Sequence, residues 1–295
     1  GTSLGPLPIA TAEGVGLRAG ACFVVGGFDQ AMATLGAGAS EPGVAHDGSG
    51  SWEALSVRVQ GRAIEPRLRA GEWSVGPSAT DPSRLEAMGS WVGGSAVRWA
   101  VGLASGGRAS DAAVDQALAH LPAGDPRPVA LTDLVAIPGK PLGGAGAIVA
   151  LDLGTRHADV VLAVLDGLAH RLRLATLTLG AAGVEVTRIR ATGGGARSDR
   201  WLQLKADATG LPVERPAVRE AGAFAAAVLA GSAIGVLPPA DAAVRELLTL
   251  DRVFEPDPTG GTAIRRAGSP SPGARGRAPG ARRIMSGDRQ TTEGS

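Results

Sequence analysis

This 295-residue sequence has one cysteine, two lysines and no long apolar run. A single Cys22 excludes an internal disulfide framework and fits a reducing cytoplasm; inside the run "ACFVV" it is expected to act as a small buried hydrophobe. The longest apolar stretches, such as "AFAAAVLAGSAIGVL" from Ala223, are broken by glycine and fall short of the roughly 18 continuous apolar residues that a membrane helix needs, so no membrane partner is expected. No basic segment precedes an apolar one near the start, which argues against a secretion signal, and the opening Gly1 suggests that the natural beginning is missing. A net charge of +1 exerts no overall pull toward nucleic acid. The four histidines, His46, His120, His157 and His170, lack metal-ligand spacing. Ser49 in "GSGSW" does not form a G-x-S-x-G elbow, so zinc and serine-hydrolase chemistry both fit poorly.

A hydrophobic content of 44% is enough for a substantial core. The first twenty residues read as loops with one helical turn, leading to a strand at Ala21–Val25. Asp29 follows that strand, either as a helix N-cap or as a carboxylate that takes a proton from a substrate. A second part of the fold starts near Gly48, where "GSGSW" turns into an alternating strand. Residues 88–103, "MGSWVGGSAVRWAVGL", read as a helix with early glycines that allow close approach. Ser110 caps an amphipathic helix that runs to His120, with Leu118 on its apolar face.

Two glycine-rich loops, at Asp47–Glu53 and Ala191–Asp207, offer backbone N–H groups to an anion. The second lies between an apolar strand and an amphipathic helix carrying Trp201, Leu202, Leu204 and Ala208. "VALDLGTRHADVV", residues 149–161, looks like a metal- and phosphate-binding D-x-G-T hairpin. The residues after the D-L-G-T have helical rather than strand periodicity, with Asp159 in the first turn, so Asp152 is a poor metal candidate. Beyond Pro256, seven arginines against two acidic residues from Thr259 onward, with little to bury, read as a disordered solvated tail rather than a nucleic-acid arm.

In order, these segments resemble the FGGY carbohydrate kinases, ATP-dependent enzymes with two ribonuclease H-like domains, over nearly all of residues 1–256. "GAIVALDLGTRHADVVLAVLD", residues 146–166, is similar to the family's second signature and departs from it at Ala150, where glycine is usual. The resemblance implies an α/β, ribonuclease H-like (actin/hexokinase/Hsp70-type) fold. Residues 1–47 would be the end of the N-terminal domain, 48–256 the C-terminal nucleotide-binding domain and 257–295 the tail. "GGFDQAMATLGAG" implies Asp29 as the catalytic base, with Gln30 touching the substrate. "GSGSWEAL" is similar to the family's S-[ST]-G-T phosphate loop, which implies Gly50 and Ser51 at the nucleotide and leaves Gly48 as a departure. "GGSAVRW" implies Gly94 beside the nucleotide, and "GGGARSDRW" implies Gly194, Gly195 and Ser198 as further contacts.

The same resemblance implies ATP and Mg²⁺ as cofactors and a sugar or polyol as substrate, with no specific nucleic-acid or membrane partner; it also admits a homodimer. The phosphate turn resembles deoxysugar kinases such as L-fuculokinase and the later loop resembles xylulokinase relatives, so no one sugar is chosen. The family's first phosphate loop and its Mg²⁺ aspartate are expected upstream of Gly1, so this chain alone is expected to lack kinase activity. The rival expectation is a non-catalytic nucleotide-binding remnant or interaction module. The only lysines, Lys140 and Lys205, lie outside the glycine turns themselves.

Overall fold

The computed structural model describes residues 1–257 apart from 62–63, 71–72, 82, 107–108, 124–127, 136–143 and 145. The arginine-rich tail beyond Asp257 and Lys140 lie outside the described residues.

The chain opens with β1 (Ser3–Pro6), the short helix α1 (Ile9–Gly14) and β2 (Cys22–Val24), with β1 and β2 forming their own antiparallel pair. Cys22 is exposed there, contrary to the buried role expected of it. An isolated two-stranded ribbon buries little on either face, and Leu4, Phe23 and Phe28 around it are exposed as well.

Helix α2 (Asp29–Gly36) leads into β3 (Val44–Ser49) and β4 (Trp52–Val59), followed by α3 (Glu65–Ala70), β5 (Ser74–Pro77) and β6 (Leu85–Val92). The second half of the 88–103 segment is helical, as α4 (Gly94–Gly102), but its first half belongs to β6. Cross-strand pairing decides this: Trp91 sits opposite Glu53 and Ala87 opposite Val57, an alternation that a single-sequence reading of small and apolar residues cannot distinguish from a helix.

After α5 (Asp111–Ala119) come the two-stranded pair β7 (Val129–Leu131) and β8 (Ala147–Val149), and then the 25-residue α6 (His157–Ala181). Leu162, Leu165, Leu168, Leu172 and Leu179 form its buried stripe at intervals of three, four and seven residues. Asp159 accepts the Arg156 backbone N–H at 2.9 Å in the first turn, so the helix expected after the D-L-G-T stretch is present. That stretch folds into a turn closed on itself, with Asp152 accepting from the Gly154 N–H at 2.9 Å.

Ala150, just before this turn, has φ 61°, making it the described non-glycine residue with positive φ. This is the position where the family signature carries glycine, and the left-handed conformation explains why. Ala150→Gly is expected to stabilise the protein by about 1 kcal/mol, read from the urea midpoint. An unchanged midpoint would show that the strain is relieved elsewhere.

The chain ends with β9 (Arg188–Thr192), α7 (Asp199–Thr209), β10 (Val213–Pro216), α8 (Ala221–Ala233), α9 (Ala240–Leu247) and β11 (Leu250–Phe254). Seven strands form one mixed sheet in the order β11-β10-β9-β3-β4-β6-β5. The antiparallel meander β3-β4-β6 is extended across β3 by the parallel strands β9 and β10. Helices α4, α6 and α7 share the larger core with one face of the sheet. Helices α2, α8 and α9 form a second cluster around Met32, Leu35, Val228 and Val244. Gly36 allows α2 to meet the start of α8, since a Cβ there would lie 1.9 Å from the Ala221 carbonyl oxygen. A division after residue 47 passes through β3, whose residues on both sides pair with β4 and β9 in the same sheet.

Candidate functional site

Three backbone turns meet at one end of the sheet. β3 and β4 are joined through Gly50 and Ser51, with Ser49 opposite Glu53 in the last pair of the ladder. The carbonyls of Gly50 and Ser51 accept the N–H groups of Gly94 at 2.8 Å and Ser95 at 3.1 Å, so this turn also satisfies donors at the start of α4. The third turn, Gly193–Gly195, carries the chain from β9 into α7.

Glycine is required here by close backbone approach. A Cβ at Gly94 would lie 2.9 Å from the Gly50 carbonyl oxygen, one at Gly193 2.9 Å from that of Ser49, and one at Gly195 2.4 Å from the Trp201 ring. Gly194 differs, since a Cβ there meets nothing within 4 Å. It borders a cleft of about 380 Å³ that is also lined by Gly50, Ser51, Gly94 and Gly195. A second cleft of about 570 Å³ lies on its other side, against Thr192 and Arg215. The structure thus brings five of the six residues implied at the nucleotide to one cleft. Ser198 stands beside it, its Oγ accepting the Trp201 N–H at 3.3 Å as the N-cap of α7. The wall formed by α5 is tied in by Arg197, which donates to both carboxylate oxygens of Asp115 at 2.7 Å, and by the Arg98–Asp111 ion pair.

Asp29 is the first residue of α2 and is exposed, and the amide of its neighbour Gln30 packs against Gly48 near the end of β3. It does not cap the helix: Phe28 occupies that position, and among the described residues the Asp29 carboxylate accepts from the adjoining Gln30 N–H, at 2.7 Å. The Gln30 amide is turned into the sheet. Its Nε2 donates to Ser56 Oγ at 3.0 Å and lies 3.3 Å from His46 Nδ1. Burial holds the His46 imidazolium pKa down at about 4 despite neighbouring Asp47, so the ring is neutral and its Nε2 lies 2.8 Å from Thr192 Oγ1. A chain of side chains thereby links the residue beside Asp29 to the strand that enters the glycine turn.

Beneath the Gly50–Ser51 turn lies a cluster that the sequence did not reveal. Lys205, from the middle of α7, is fully buried and donates to Asp47 Oδ2 and Ser49 Oγ, each at 2.6 Å. Its Nζ is 3.1 Å from Glu53 Oε1 and 4.6 Å from the centre of the Trp201 ring. Burial alone would lower the Lys205 ammonium pKa, but Asp47 and Glu53 together hold it above the usual lysine value. For Glu53, burial outweighs the attraction of Lys205 and pushes the carboxyl up to about 8. The one sequence signal was a lysine set among Leu202, Leu204, Ala206 and Ala208, on a stretch that packs inward.

Among the described residues no three His, Cys, Asp or Glu side chains converge as a cation site. No described helix is long and apolar enough to cross a membrane.

Residues 71–234 match the sequence profile of the FGGY family of carbohydrate kinases, C-terminal domain. The chain is 30% identical over 250 residues to a glycerol kinase of Symbiobacterium thermophilum, covering 80% of this chain and 48% of that one. A glycerol kinase of Halorhodospira halophila is 41% identical over 112 residues, 38% of this chain and 22% of its own length. Among solved structures, xylulose kinase from Rhodospirillum rubrum superposes with a TM-score of 0.73 at 25% identity, over 90% of this chain and 53% of that one. The ligand-bound xylulose kinase from Lactobacillus acidophilus shares the fold, with a TM-score of 0.75 at 22% identity, over 90% of this chain and 53% of that one. The chain spans about half the length of these xylulose kinases and less of the glycerol kinases.

Proposed function

Because the chain belongs to the FGGY family of carbohydrate kinases, we propose that it supplies the nucleotide cleft and the acceptor-side carboxylate for phosphoryl transfer from ATP to a sugar or polyol hydroxyl. The observation that carries this reading is the meeting of three turns at one cleft, with Asp29 next to Gln30, whose amide packs against Gly48 near the end of β3. Gly194 and Gly195 present backbone to an anion at the end of β9, and Gly50, Ser51 and Gly94, whose turn and helix start are bonded to each other, line the cleft beside them. ATP, when bound, supplies the phosphoryl group. The task of this chain is to position that group and to accept the proton of the attacking hydroxyl at the Asp29 carboxylate. Gln30, tied to Ser56 and His46, fixes the start of α2 and so the place of Asp29. Since the chain spans about half the length of the structural relatives, transfer itself is to be tested in the whole protein and nucleotide binding in these 295 residues.

Two adjacent glycines provide the test. Gly194→Ala adds a methyl group to open space in the cleft, so stability should change by no more than about 0.5 kcal/mol while ADP affinity falls by about tenfold, the loss of one backbone contact to phosphate. Gly195→Ala pushes against Trp201 and Ser49 and should cost about 1–3 kcal/mol of stability. Calorimetric ADP titration and urea unfolding separate the two effects. Unchanged ADP affinity in Gly194→Ala would remove the cleft from the reading.

A further inference from the structure

The polar cluster under the Gly50–Ser51 turn has an unbalanced composition. One ammonium faces two carboxyl groups, and all three residues are fully buried. The Lys205 N–H groups are directed to Asp47 Oδ2 and Ser49 Oγ, and Nζ also lies 3.1 Å from Glu53 Oε1, while Asp47 Oδ1 and Glu53 Oε2 have no hydrogen-bond partner among the described residues. Two ionised carboxylates would leave a net negative charge and orphaned acceptors in a site without water access. One proton on Glu53 balances the charge and turns an unsatisfied acceptor into a donor. The cluster also sits where it controls the turn: Asp47 and Ser49 end β3, Glu53 begins β4, and Lys205 ties both to the helix after the glycine turn.

We propose that Lys205, Asp47 and Glu53 are positioning residues for the Gly50–Ser51 turn, and that Glu53 serves there as a neutral carboxylic acid so that the turn can receive an anion. The inference rests on the nucleotide reading of the cleft. Burial favours the neutral acid, and the Glu53 carboxyl titrates at about 8. Below that pH the cluster is neutral. As pH rises through it, a buried negative charge appears under the turn and opposes phosphate. The charged groups that act on Glu53 are Lys205 from α7 and Asp47 from β3. Its neighbour across β6 is Trp91, and the start of α4 approaches it through Gly93.

The test is ADP titration of the 295-residue chain from pH 7.5 to 9.5, above the phosphate ionisation near pH 6. For a unit charge about 10 Å away at an effective dielectric constant of about 20, wild-type Kd should rise roughly tenfold across the window. Glu53→Gln, which keeps the neutral shape, should reduce that rise to under about twofold. Other groups titrating in the window, the amino terminus included, act equally on the variant and are cancelled by the comparison. A flat wild-type profile with sound binding at pH 7.5 would overturn the inference and leave the cleft reading standing, and that result needs no variant to fold. An equally steep profile in Glu53→Gln would assign the effect to another group and overturn the role given to Glu53. Absence of ADP binding at every pH would overturn the cleft reading and this inference together.

Discussion

Lys205→Ala should cost about 3–5 kcal/mol of folding stability, the largest loss expected from any single change at this end of the sheet. The substitution removes an ammonium with no exposed surface and leaves Asp47 without its ion-pair partner and Ser49 without its donor. It also removes the cation above Trp201 and opens space between α7 and the sheet. Most exposed ion pairs elsewhere are worth about 1 kcal/mol or less, so Arg197→Ala, which breaks the bond to Asp115, is the matched control. Urea unfolding should show a lower midpoint at constant slope for Lys205→Ala and a change within about 1 kcal/mol for Arg197→Ala. Adding Asp47→Asn and Glu53→Gln to Lys205→Met should recover part of the loss, because a buried polar set hurts most when it is left half paired. A cost below about 1 kcal/mol for Lys205→Ala would mean that the cluster is hydrated and that the turn rests on its backbone bonds alone.

Features held in contiguous residues are legible without the fold. The strand, glycine turn and helix of residues 188–209 are written in order, with Trp201, Leu202, Leu204 and Ala208 on the inward face. The length of α6 follows from its leucine spacing, and the Ser110 cap from its position before α5. Features that depend on distant partners are not legible. Met88–Val92 becomes a strand only because β4 pairs with it along its length. Lys205 acquires its meaning from Asp47, 158 residues away, and nothing in the local pattern distinguishes a buried, paired lysine from one that reaches solvent at the edge of a helix. Cys22 departs from its expected burial for a related reason: an apolar run implies burial only when another element covers it, and the ribbon formed by β1 and β2 has little on its faces.

The largest effect on activity is expected from Asp29→Asn, a fall in kcat of about 10²–10⁴. The magnitude discriminates between the two readings of this residue. As a structural group, Asp29 is an exposed carboxylate in the first turn of an eight-residue helix, a placement worth at most about 1 kcal/mol through the helix dipole. Asparagine keeps the oxygen that accepts the Gln30 N–H, so the fold should lose no more than that. As a proton acceptor, Asp29 would contribute about 3–5 kcal/mol to the barrier, and asparagine cannot take the proton. The two quantities are measured separately: sugar- or polyol-dependent ADP release in the whole protein for the barrier, urea unfolding for the fold. ADP affinity should stay constant, because the carboxylate is not among the residues lining the cleft of Gly50, Gly94 and Gly194. A variant that kept kcat within about threefold would leave Asp29 with only its helix-start role, and the proton of the acceptor hydroxyl would need another destination.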